Sequence, residues 1–310
     1  MSVTLTHSSA APTDLRRYAL ISIAAAVATI LLKGIAWALT GSVGLLSDAI
    51  ESFVNLAGAL MALWMLSIAA QPADAGHPYG HDKAEYFSSA FEGFLIVVAA
   101  ASIGYTAIDR LLHPRQLEAL GAGLLASIVA SAVNFGVARV LLRAGIAHRS
   151  ITLEADARHL MTDVWTSVGV IGGVAVVWLT GLTWLDPVIA LVVAANIIRT
   201  GWQLVARSAS GLMDAGLPPP ELRHLETTLA SFHCEGIRFH ALRTRQAGRR
   251  IFVSVHVLVP GAWSVKKAHD CSERIEAALR AQMPTAHIST HLEPIEDPVS
   301  MADEPLDRPD

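Results

Sequence analysis

Asp48, Glu51 and Asn55 are spaced i, i+3 and i+7, and His159 and Asp163 are spaced i, i+4. Each set therefore stacks along one side of a 3.6-residue helix. Carboxylates, an amide oxygen and an imidazole facing one another would make a ligand set for a divalent transition metal such as Zn²⁺. The same spacing suits hydrogen bonds that tie helices together, and Asp48 could sit near a segment end and be solvated. A second group, Asp74, His77 and His81, reads Asp-x-x-His-x-x-x-His. Its three side chains converge if the segment turns once as a helix, leaving a fourth position for water; Pro78 and Gly80 also fit a polar loop that happens to carry histidines. A third group, His240, His256, His269 and His291 with Glu293, has no local motif, so its members meet only if the fold brings them together.

The elements that must position these residues follow from composition. The chain has 310 residues, 53 % apolar and only 16 % charged, with a mean hydropathy of +0.45, which excludes disorder and argues for a membrane protein. A net charge of −4 offers no broad positive field for phosphate, so no nucleic-acid partner is expected. Cys234 and Cys271 have no Cys-x-x-Cys partners and cannot form a disulfide framework, which is compatible with a reducing compartment. The apolar excess lies before about residue 210, where six stretches near 18–39, 43–69, 88–112, 119–145, 155–180 and 184–207 have the length a bilayer requires. The first is too long for a signal-peptide core and follows no basic segment, so it is expected to remain in the mature chain. Lys33 and Glu92 also lie in or near these spans and read as snorkelling side chains or members of a structural ion pair. Arg16, Arg17, Lys83, Arg139 to Arg158 and Arg207 cluster at span ends that then face the cytoplasm, although Arg110 and Arg115 fall on the other side. Both termini are therefore expected in the cytoplasm.

The expected layout is a tail over 1–15, a transmembrane domain over 16–210, a small α+β domain over 211–295 and an acidic disordered tail over 296–310. Within the α+β domain, strands are expected near 236–243, 250–259 and 286–292, a helix over 264–282 and a turn at Gln246-Ala247-Gly248. Period-2 alternation puts Val253, Val255 and Val257 on one face of the middle strand and Phe252, Ser254 and His256 on the other.

The runs Gly41 to Ser52 (GSVGLLSDAIES) and Glu154 to Asp163 (EADARHLMTD) resemble the cation diffusion facilitator family. The resemblance extends to Gln71 to His81 (QPADAGHPYGH) and Leu242 to Gly248 (LRTRQAG), and covers about residues 16 to 295. It implies a homodimeric exporter in the lipid bilayer, with six helices and a metallochaperone-like (ferredoxin-like) cytoplasmic domain in each subunit, exchanging an outgoing divalent cation for incoming protons. In such proteins two acidic residues one turn apart on the second span join a His-x-x-x-Asp on the fifth. The second pair carries over as His159 and Asp163, whereas the first falls on Glu51 and Asn55, a longer carboxylate and a neutral amide. With fewer anionic ligands, Cd²⁺, Fe²⁺, Co²⁺, Ni²⁺ or Mn²⁺ join Zn²⁺ as expected cargo, and Asp48 is a candidate for the missing charge. The resemblance also implies metal sites at Asp74, His77 and His81 and at His240, His256, His269, His291 and Glu293, and a charge interlock between Lys83 and Asp214. The expected location is the cell (inner) membrane. An intramembrane metallohydrolase is disfavoured because the sequence has no His-Glu-x-x-His. A non-transporting metal sensor or assembly scaffold remains the alternative, kept open by Asn55.

Overall fold

Backbone N–H and C=O groups in lipid must be paired within their own segment, which makes the helix the natural form for long apolar runs. The computed structural model describes residues 14–40, 43–113, 122–182, 184–233 and 236–302. Its first six helices are α1 (Arg16–Thr40), α2 (Val43–Ala69), α3 (Ala84–Leu112), α4 (Ala122–His148), α5 (Ile151–Thr180) and α6 (Leu185–Leu212). Among the described residues, five stretches are long and apolar enough to cross a membrane: Arg16–Leu39, Glu51–Ala69, Ala84–Leu112, Leu125–His148 and Leu185–Leu212. The remaining helix, α5, carries Glu154, Asp156, Arg158, His159 and Asp163 in its first half. It packs against α2, α3 and α4, and Leu153, Ala155, Ala157 and Leu160 are buried. Polar residues in this half of the helix are tolerable at membrane depth where they look into the bundle, and the second half of α5 is apolar.

Alanines at the helix contacts let the backbones approach, since lipid offers no hydrophobic drive for helices to associate. Ala19, Ala62, Ala138, Ala144 and Ala157 alternate with Leu15, Leu66, Leu141, Leu153 and Leu160 in one such cluster. Helices α3 and α6 cross at two glycines: a Cβ on Gly93 would lie 2.9 Å from the Gly201 carbonyl oxygen. The start of α5 is fixed from outside the helix. Ser150 caps it by accepting from the Leu153 N–H, while the buried Glu85 of α3 accepts from the Ser150 hydroxyl and the Thr152 N–H. A carboxylate at a helix N-terminus is favoured by the exposed amides and the helix dipole.

The chain divides into two units, Met1–Ser208 and Ala209–Asp310. The second contains α7 (Pro219–Ala230), β1 (Arg238–Ala247), β2 (Arg250–Val259), α8 (Val265–Gln282), β3 (Ala286–Pro294) and a short 3₁₀ turn at Pro298–Met301. The sheet order is β1-β2-β3, with β1 antiparallel and β3 parallel to β2. Val253, Val255 and Val257 are buried with Leu225 and Leu229 of α7 and Ala268, Cys271, Ile275 and Leu279 of α8. That is the valine face read from alternation.

Two expected boundaries shift. β1 continues through Gln246 and Ala247, because the tight turn needs only Gly248, at φ 56°, and Arg249. The expected disordered tail is ordered as far as Ala302: Glu296 accepts from the Gly261 N–H at 2.9 Å, Asp297 caps the 3₁₀ turn, and buried Ser300 donates to the Pro294 carbonyl at 2.9 Å. These local polar contacts compensate for the weak hydrophobicity that suggested disorder. Residues 303–310, like Cys234, lie outside the described residues.

Candidate metal centres

Asp163 joins three helices. Its Oδ2 accepts a hydrogen bond from Asn55 of α2 and another, at 2.9 Å, from Asn134 of α4. Both asparagines are buried, and neither Oδ1 has a hydrogen-bond partner among the described residues. With their amide nitrogens directed at the carboxylate, the two amide oxygens remain as hard donors for a cation. One turn earlier on α5, His159 is also buried and its Nδ1 hydrogen-bonds Glu92 of α3. Three residues before that, Asp156 accepts from Ser22 of α1 at 3.0 Å. The described core of the bundle is thus polar along one side of α5, from Asp156 to Asp163.

Of the intramembrane residues expected from the sequence, the structure brings Asn55 and Asp163 into contact and places His159 on the same helix face. Glu51, one turn before Asn55 on α2, is exposed rather than buried. Residues four apart differ by about 40° around a helix, so with Asn55 turned inward Glu51 falls toward the edge of that face. Asp48 lies within α2, but its side chain is outside the described residues. Asn134, Asp156 and Ser22 were not singled out. A lone amide in the apolar fourth span was the available signal for Asn134. Glu92, read as a snorkelling group or an ion-pair member, has His159 as its partner.

Asp74, His77 and His81 converge without forming a helix. Asp74 Oδ1 accepts from the backbone N–H groups of Gly76 at 2.9 Å and His77 at 2.7 Å, an aspartate-led turn that continues through Gly80 at φ 87°. His77 Nδ1 lies 3.4 Å from Asp74 Oδ1, and His81 Nε2 lies 3.4 Å from Asp74 Oδ2. One donor atom from each residue fits within 4.8 Å of the others. A tetrahedral ion with bonds near 2.1 Å holds its ligand atoms roughly 3.4 Å apart, so this spacing suits a metal better than a hydrogen bond. The His77 N–H holds the Asp74 carboxyl below the usual aspartate range, with further lowering from the Gly76 N–H and His81. Asp74 therefore remains an anion as pH falls through neutrality.

The third group is set by strand register. His240, His256 and His291 stand opposite one another across β1, β2 and β3, and Glu293, two residues beyond His291, shares their face. Its carboxylate lies 2.7 Å from His240 Nε2, 3.4 Å from His256 Nδ1 and 3.5 Å from His291 Nε2. His240, His256 and Glu293 each offer a ligand atom within a 4.8 Å group. His269 is not brought into it. It is exposed on α8, which packs on the opposite, valine face of the sheet. Asp214, expected in an interlock with Lys83, has an ion pair to Arg245 of its own unit at 3.2 Å.

Comparison with known proteins matches both parts of the chain. Residues 19–213 match the cation efflux transmembrane domain, and residues 217–295 match the cytoplasmic domain of cation efflux proteins. The chain is 54 % identical over 285 residues to the uncharacterized transporter sll1263 of Synechocystis sp., covering 92 % of each chain. It is 31 % identical over 280 residues to the cation-efflux pump FieF of Pectobacterium atrosepticum, covering 88 % of this chain and 91 % of that one. For FieF of Shewanella oneidensis the identity is 28 % over 275 residues, with 89 % and 92 % covered. Six long helices with a polar fifth, a separate α+β unit and matches to both parts place the chain in the cation diffusion facilitator family of cation efflux transporters.

Proposed function

We propose that this integral membrane protein is a proton-coupled antiporter that exports a divalent transition metal from the cytoplasm, with Zn²⁺ the first choice and Cd²⁺, Fe²⁺, Co²⁺, Ni²⁺ and Mn²⁺ alternatives. The observation that carries this reading is Asp163, half-buried in the helical unit between the buried Asn55 and Asn134 and one turn from the buried His159. An acid, an imidazole and amide oxygens at that depth form a cation site of mixed hardness, which suits first-row divalent metals. The ion is bound from the cytoplasm by Glu51, Asp163 and neutral His159, with Asn55 or Asp48 completing the shell.

Protons compete for the same ligands, because metal binding requires them deprotonated. Opening the site to a more acidic exterior favours release of metal and uptake of protons, which return inward when the site reopens to the cytoplasm. Two copies act as a homodimer in the cell (inner) membrane with both termini cytoplasmic. Asp74, His77 and His81 form a second metal site, and His240, His256, His291 and Glu293 a regulatory one. Metal at these positions favours the transporting state only as far as that state binds it more tightly.

Purified protein in proteoliposomes tests the reading. Metal-dependent proton flux that disappears in Asp163→Ala is the expected result. Metal binding without flux in the unsubstituted protein would make the chain a sensor or scaffold instead.

A further inference from the structure

Glu92 is fully buried in the interior of α3, the ninth residue of that helix, and its Oε1 has no hydrogen-bond partner among the described residues. A carboxylate in such surroundings is expensive, so its position calls for a physical explanation. Oε2 hydrogen-bonds Nδ1 of His159. On another side lies Gly58 of α2, where an added Cβ would fall 2.9 Å from Glu92 Cδ and meet both carboxylate oxygens. The absent side chain at position 58 is the space the carboxylate occupies. The next residue, Gly93, is in close contact with Gly201 of α6, so α3 cannot back away from α2 and α5 without breaking that crossing.

We propose that Glu92 is a positioning residue for the intramembrane metal site: held in the notch at Gly58, it fixes the His159 ring through Nδ1 and leaves Nε2 as the metal-binding nitrogen. This rests on the reading of His159 as a cargo ligand given above. A carboxylate on one imidazole nitrogen sets the tautomer and ring orientation and raises the basicity of the other, and loss of such a partner typically weakens metal binding about 10–100-fold. Gly58 makes the arrangement separable from simple stability. Alanine is the better helix former, and its methyl would displace only the end of the Glu92 side chain, removing the contact with His159 while leaving the residue in place.

The test uses the full-length protein in proteoliposomes, with the Zn²⁺ concentration at half-maximal uptake as one readout. The other is the Co²⁺ d–d absorption component that His159→Ala removes. Glu92→Ala and Gly58→Ala are expected to raise the half-saturating Zn²⁺ about 10–100-fold and to shift or abolish that component. Glu92→Gln, which keeps an acceptor for the Nδ1 proton, is expected to recover most of the loss. If Glu92→Ala or, where that variant does not fold, Gly58→Ala leaves both readouts unchanged while His159→Ala loses both, the positioning role is wrong and the cargo site stands. If His159→Ala itself leaves uptake unchanged, the ligand assignment fails and this proposal fails with it.

Discussion

Asp163 shows how neutral side chains prepare a charged one. Two amide N–H donors stabilise its carboxylate, so part of its interaction is supplied by groups that carry no charge of their own. Asn134→Leu removes one donor and one amide oxygen from this arrangement. Its expected effect is about a tenfold loss of Zn²⁺ affinity at the intramembrane site, the lower end of what loss of an outer partner costs, measured by calorimetry on the full-length protein. His159 and Asp163 were legible in the sequence because their i, i+4 spacing lies on one helix and needs no knowledge of neighbours. Asn134 stands alone on another helix, so no periodicity marks it. The division between Asn55 and Glu51 was illegible for a different reason: about 40° of rotation separates them, and spacing leaves open which one the bundle turns inward.

Helix α3 is held by small residues as much as by polar ones. At the Gly93–Gly201 crossing an added Cβ on Gly201 would lie 2.8 Å from the Gly93 carbonyl oxygen, and backbone cannot yield as a side-chain tip can. Gly201→Ala is therefore expected to destabilise the helical unit by about 1–3 kcal/mol, the usual cost of overpacking, seen as a lower unfolding midpoint in detergent. The loop before α3 makes a different prediction. The depressed Asp74 carboxyl keeps its charge until the pH falls below the ordinary aspartate range, so its contribution to metal binding is lost only there. Zn²⁺ bound at this loop is accordingly expected to fall in Asp74→Ala and His77→Ala relative to the unsubstituted protein at neutral pH, checked by equilibrium dialysis. Element identities were readable because bilayer thickness fixes helix length and alternation fixes strand faces. Boundaries were less so: β1 outran its expected end because one glycine at positive φ sufficed for the turn, and the polar contacts that order residues 296–302 are not visible as hydrophobic pattern.

Across the whole molecule, groups with metal-ligand spacing occur in both units, at Asp74, His77 and His81 in the first and at His240, His256 and Glu293 in the second. The pairs within each hold one another by local turns or strand register, so each should load independently of the other. His240→Ala combined with His256→Ala is expected to remove about one bound Zn²⁺ per chain, a structural site having four ligands at most, while the fraction retained by the helical unit is unchanged; elemental analysis of dialysed protein checks this. The α+β architecture was readable in the sequence, but the meeting of these histidines was not, because it depends on a parallel β2–β3 register that pairs His256 with His291. That register has an electrical consequence. A lone glutamate serves three imidazoles there, so a dication settling among them brings two positive charges against one carboxylate. Occupancy thereby adds positive charge to the sheet face, an attraction for acidic surfaces that holds at low ionic strength and fades as added salt shortens the Debye length.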